Sequence, residues 1–271
     1  MRIGALPAVR AAVVAAAGAL LATFAVAPPA RADHHDLAPP EILSASVHGG
    51  RAIVLGPDRT LTFQATVTAR AAAGILRHGV EVHLLSPGGQ VWHGARDLPA
   101  TCEPISVTTS VCTEWFRIDT GSAEVTNSYA GDWKMAATVA SNNLHTHPES
   151  SITSRTDLAT AKVRRSSKLT FVATPNPVRQ GQGVSALGRL TVADWETDAY
   201  TSAPGQTVGL EFCASPCRSV ESLRTLRTGV YGLTGTTHPA TRDGSWWLRY
   251  GGTGQYAATY SPGVFVDVLE G

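Results

Sequence analysis

Thr60-Leu61-Thr62-Phe63-Gln64-Ala65-Thr66-Val67-Thr68 alternates without a break: Leu61, Phe63, Ala65 and Val67 are apolar, and the residues between them carry hydroxyls and an amide. Successive side chains of a strand project to opposite faces, so the stretch reads as a strand with one buried and one wet face. On a helix the same residues would be scattered around the circumference. The pattern returns at Val80, Val82 and Leu84 ahead of a Pro87-Gly88-Gly89 turn, at Trp133, Met135, Ala137 and Val139 behind Gly131-Asp132, and over 158–163. Such one-sided faces are buried only against a second sheet, which predicts a β-sandwich over 41–165.

Near Arg164-Arg165-Ser166-Ser167-Lys168 the composition turns polar, and a new alternating set begins with Leu169, Phe171 and Ala173. Further short runs follow over 184–192, 208–212, 223–226, 245–250 and 264–269. Six or more short strands in roughly 100 residues suit a Greek-key sandwich. The expected fold class is therefore all-β: two tandem Ig-like β-sandwiches, 41–165 and 166–271, set end to end by a short link with little hinge freedom.

Several segments carry a resemblance that spans nearly the whole of the chain expected to remain after the first 32 residues are removed. Ser167-Lys168-Leu169-Thr170, Ala173-Thr174-Pro175-Asn176-Pro177-Val178, Ala193-Asp194-Trp195, the run from Gly205-Gln206-Thr207-Val208 to Phe212, Asp243-Gly244-Ser245-Trp246 and Phe265-Val266-Asp267-Val268 belong to it. In the first half, Cys102 to Cys112 and Ala130-Gly131-Asp132-Trp133-Lys134 do so too. These resemble secreted actinobacterial proteins of tandem Ig-like sandwiches, a group largely of unknown function with no established catalytic residues. The resemblance implies fold and compartment and transfers no active site. The chain departs from it at Cys213-Ala214-Ser215-Pro216-Cys217, where the group has an uncrosslinked hairpin turn.

The first 32 residues read as a removable export signal: Arg2 and Arg10, an apolar stretch from Ala11 to Ala27, and a small-x-small site at Ala30-Arg31-Ala32. Cleavage leaves a tail, 33–40, ahead of the first sandwich. No Cys stands at the cut, and Val266 to Gly271 carry no sorting signal, so the expected product is secreted, extracellular or loosely associated with the cell envelope. Removing the signal takes Lys and Arg from 22 to 19 against 21 Asp and Glu. That balance lacks the basic stripe of a nucleic-acid binder, and no later apolar run is long enough to span a membrane. The partner is expected to be a protein or an envelope carbohydrate.

Export also decides how the four cysteines are read. They fall into two close pairs, Cys102 with Cys112 and Cys213 with Cys217, and in an oxidising compartment the local disulfides are expected. A zinc site would need further soft ligands, and none lies close by in sequence.

Cleavage after Ala32 would expose Asp33-His34-His35. The free amine of Asp33, the amides of His34 and His35 and the His35 imidazole then offer four nitrogens in a plane, the geometry that suits Cu(II) or Ni(II). A metal-handling role built on this terminus is one rival function. His145 and His147 form a second pair, with Glu149 or Asp157 as a third zinc ligand, although Asn142, Asn143 and Pro148 place them in a loop.

Two aromatic doublets matter more for binding. Trp246 and Trp247 cannot both face the core, because neighbours on a strand point opposite ways. With Trp246, Leu248 and Tyr250 inside, Trp247 and Arg249 share the outer face; likewise Trp115 and Arg117 oppose Phe116 and Ile118. A Trp beside an Arg makes a stacking surface for a sugar ring or a protein. A loop containing Trp195 and Tyr200, folding over Trp247, is the competing expectation.

No nucleophile elbow, zincin helix, phosphate loop or dinucleotide fingerprint occurs. Glu114 and Asp119 are near in sequence, but nothing directs them to a common cleft as glycoside hydrolysis needs, and Asp119 to Glu124 reads as a turn. A hydrolase with an unmarked site is the second rival. The reading favoured by the residues is a non-catalytic protein that binds through its surface.

Overall fold

The computed structural model describes residues 38–270. The expected export signal and the candidate copper ligands Asp33, His34 and His35 lie outside the described residues. The first sandwich contains β1 (Glu41–Val47), β2 (Ile53–Leu55), β3 (Thr60–Arg70), β4 (Ile75–Leu85), β5 (Val91–His93), β6 (Thr101–Pro104), β7 (Thr109–Asp119), β8 (Gly131–Ser141), β9 (Ile152–Arg155) and β10 (Thr160–Arg165). One sheet runs β1-β3-β7-β6; the other runs β2-β10-β8-β4-β5, with β9 also on β8.

The alternating residues face each other across the gap. Phe63, Ala65 and Val67 of β3 and Phe116 and Ile118 of β7 bury against Val80, Val82 and Leu84 of β4 and Trp133, Met135 and Val139 of β8. Phe63 stacks on Phe116 with ring centroids 5.7 Å apart, and the Trp133 indole N–H donates to the Tyr129 carbonyl at 2.6 Å. Each buried Val, Leu, Ile, Phe or Met side chain among them contributes roughly 1.5–3 kcal/mol by leaving water. The chain changes sheets between β1 and β2 at His48-Gly49-Gly50, whose φ values of 51°, 61° and 76° break the ladder. β2 can then pair in parallel with β10 and close that edge.

The second sandwich holds β11 (Ser167–Thr174), β12 (Val178–Arg179), β13 (Gly183–Asp194), β14 (Ala199–Ser202), β15 (Thr207–Ala214), β16 (Glu221–Arg227), β17 (Leu233–Pro239), β18 (Gly244–Tyr250), β19 (Thr259–Tyr260), β20 (Val264–Val266) and β21 (Val268–Leu269). It repeats the device. Pro175 and Pro177, which lack a ladder N–H, end β11, and β12 crosses over to pair in parallel with β21. β13 carries β11 on one edge and β14 and β17 on the other, facing the sheet centred on β15 and β18. Leu190, Leu210, Phe212, Trp246, Leu248 and Tyr250 fill the core.

A single residue, Ser166, separates β10 from β11. Its N–H donates to Leu55 O and its carbonyl accepts from Ala193 N, both at 2.8 Å. Arg165 is buried, bonded to the Ala193 carbonyl and set over the Tyr256 ring. The polar run that marks the seam is thus packed and bonded at its centre, where the Arg165 guanidinium and the Ser166 backbone meet backbone partners. Ala193, Trp195 and Tyr200 from the second half join the core of the first. Asn127 ties the same corner: its amide donates to Asp194 Oδ1 at 2.9 Å and Glu196 Oε2 at 2.7 Å, and its oxygen accepts from Trp195 N at 3.0 Å.

Candidate binding surface

β18 lies between β15 and the short β19 and β20, and strand alternation divides its aromatics. Trp246, Leu248 and Tyr250 point inward and are buried; Trp247 is half-buried and Arg249 exposed on the outer face. Glu211 of β15 stands directly opposite Trp247. Its Oε2 accepts the Trp247 indole N–H at 3.1 Å, and its Oε1 lies 3.7 Å from Arg249 Nη1. One carboxylate therefore orients the ring and the guanidinium together. Phe265 stands opposite Ser245 and Tyr260 opposite Arg249, so both rings fall on the Trp247 face at its diagonals. They are 50% and 60% exposed. The expectation that Trp195 and Tyr200 cover Trp247 is corrected: both are drawn into the junction, where the first core offers them burial.

Trp115 and Arg117 occupy the outer face of β7, opposite Gln64 and Thr62. Trp115 is 36% exposed. Arg117 grips Asp97 with two hydrogen bonds, at 3.2 and 2.9 Å, which hold the Asp97 carboxyl below its ordinary range. Phe116 and Ile118 alternate into the core.

Two surfaces of the second sandwich carry no alternation signal. Tyr260 sits on a two-residue strand too short to show a period, and Phe265 lies in the 264–269 run, where nothing local marks its ring as outward. The other is a groove of about 500 Å³ on the outer face of the opposite sheet, lined by Thr170, Val172, Leu187, Arg189, Leu233 and Gly235. Val172 and Leu187 are cross-strand partners, Gly235 faces Leu187, and Val172, Leu187 and Leu233 are each more than half exposed. β17 has seven residues but shows no apolar alternation, since its large apolar residue, Leu233, is on the wet side.

The cysteines form local bridges, Cys102–Cys112 across adjacent strands and Cys213–Cys217 within a turn. His145 is exposed in a turn, and His147 bonds Thr146 Oγ1 through Nδ1 at 3.1 Å; Glu149 is exposed and Asp157 pairs with Lys134 at 3.6 Å. Glu114 faces inward, and burial pushes its carboxyl up from the ordinary range, whereas Asp119 faces outward and caps the Gly121 N–H. The two carboxylates share no cleft. Among the described residues, the His and acidic side chains that do bring three ligand atoms within 4.8 Å of one another are Glu81, His83 and His93. Their signal was present in the sequence. A turn centred on Gly88 pairs position 83 with 93, and Glu81 lies on the same face two residues back.

No protein-family model and no curated protein matches this chain. Among solved structures it is similar to latent PorU from Porphyromonas gingivalis, at 17% identity and a TM-score of 0.29 over 86% of this chain and 20% of that one. It is similar to the mouse nectin-like molecule 4 ectodomain at 12% identity and 0.27, over 86% of this chain and 65% of that one. For the D00-D0 domain of intimin the values are 12% and 0.29, over 82% and 98%. The chain thus spans a fifth of latent PorU and less than two thirds of the nectin-like ectodomain. The fold assignment rests on the strand pairing. No helix among the described residues is long and apolar enough to cross a membrane.

Proposed function

We propose that this chain is a non-catalytic extracellular binding protein, exported by its first 32 residues, with two Ig-like domains, 41–165 and 166–271, and a recognition surface on the second. The observation that carries this reading is the outer face of β18, where Trp247, Tyr260 and Phe265 flank the Glu211–Arg249 pair. Rings held on paired strands lose little freedom on binding, and an adjacent carboxylate and guanidinium supply directional bonds to hydroxyls or peptide groups. Exposed apolar surface of this kind marks binding sites on soluble domains. The partner is an envelope carbohydrate or an envelope protein. Trp115 with Arg117 is a subsidiary contact on the first domain.

The test immobilises the secreted chain and measures retention of purified envelope polysaccharide and of envelope proteins. The triple change Trp247→Ala, Tyr260→Ala, Phe265→Ala should lower retention at least tenfold, and Trp115→Ala by less. Unchanged retention by a folded triple variant overturns this surface as the binding site.

A further inference from the structure

We infer that Glu81, His83 and His93 form a surface site for a divalent transition-metal ion, zinc by its ligand set. It lies on the first sandwich, away from the recognition surface proposed above, and stands independently of it. Glu81 and His83 occupy alternate outward positions of β4, and His93 is the register partner of His83 across the hairpin on edge strand β5. His83 Nε2 lies 3.3 Å from Glu81 Oε1. The two imidazoles meet edge to face, with centroids 4.7 Å apart and an interplanar angle of 87°. All three ligand atoms fall within 4.8 Å of one another. Zinc bonds of about 2.0–2.2 Å in a tetrahedron set ligands roughly 3.4 Å apart, so modest side-chain rotations complete the set. The backbone under it is held on both sides, since β4 also pairs with β8.

Two nitrogens and one oxygen leave a fourth position open to solvent, because Glu81 and His93 are both exposed. The chemistry discriminates this site from the amino-terminal candidate. Imidazoles and a carboxylate in a tetrahedron suit zinc, whereas a planar set of amide nitrogens suits copper or nickel. His83 Nδ1 is buried without a hydrogen-bond partner. When Nε2 takes the metal, Nδ1 must carry the ring proton unpaired, which weakens the site. The expected affinity is micromolar, below that of a four-ligand structural site.

Titration calorimetry of the full chain with Zn(II) tests this. One zinc should bind with micromolar affinity. His93→Ala, an exposed edge position whose loss leaves the core intact, should weaken it at least tenfold, and Glu81→Gln several-fold. His145→Ala with His147→Ala should leave it unchanged. As a second readout, Zn(II) should raise the melting temperature of the parent chain and not that of His93→Ala. Absence of zinc binding at millimolar metal overturns the site, and so does His93→Ala binding zinc as the parent does.

Discussion

The indole N–H of Trp195 donates to the carbonyl of Leu55 at 3.3 Å, so that a side chain of the second sandwich is seated in the core of the first. Trp195 is 2% exposed, and its own N–H is bonded to Asn127, so both ends of the residue are fixed. With Ser166 bonded to Leu55 and Ala193, this makes the two sandwiches a continuous body through one corner.

Trp195→Ala should cost about 3–5 kcal/mol, as emptying a buried Trp site does. Because the cavity opens at the junction, chemical denaturation of the variant should separate into two transitions where the parent shows one. Small-angle scattering should show a broader distribution of overall dimensions.

The junction should loosen in acid. Asn127 hydrogen-bonds the Asp194 carboxylate and, with the Glu196 and Thr197 N–H groups and nearby Arg165, holds its carboxyl below the ordinary range. A depressed carboxyl contributes stability that is present above its unfolded pKa and is lost as pH falls through the folded one. Asp194→Asn should flatten the acid limb of the stability profile, measured by urea midpoints below pH 5.

Glu114 carries the opposite sign. Burial raises its carboxyl, with the Val82 backbone bond opposing and the Glu81 charge assisting. The folded state favours the protonated form, so stability falls as pH rises through the carboxylate range. Glu114→Gln should raise the melting temperature at neutral pH and have little effect in acid.

The two tryptophans of β18 should separate cleanly. Trp246→Ala empties a core site and should cost about 3–5 kcal/mol. Trp247→Ala removes a half-buried ring and its bond to Glu211, for about 1–2 kcal/mol. Melting curves of the two variants give the comparison, and equal losses would place Trp247 in the core.

Replacing Cys102 and Cys112 together by Ala should cost roughly 2–3 kcal/mol by the entropy of the loop they close. Both are buried, whereas Cys217 is exposed. Under mild reductant the Cys213–Cys217 bridge should therefore open first, followed by mass-tagging of free thiols.

Which face of the longer strands is wet was legible along the chain, because alternation is a local property of period two. Phe63, Ala65 and Val67 are buried together for that reason, and Trp246 parts from Trp247 for the same one. Strands such as β17 and β19 are not legible, since their outward Leu233 and Tyr260 give no apolar alternation to follow. The site was read in fragments: Trp247 and Arg249 were found, their Glu211, Tyr260 and Phe265 neighbours were not.

By itself the sequence determined an all-β chain with closely spaced disulfides and a polar seam near Ser166, all from contacts within a few residues. Only the tertiary structure decided that Trp195 reaches Leu55, that Glu211 orients Trp247, and that His93 faces His83 beside Glu81. These are pairings between strands. Their partners are selected by how sheets register and cover one another, so the distance along the chain says nothing of them until the core is closed.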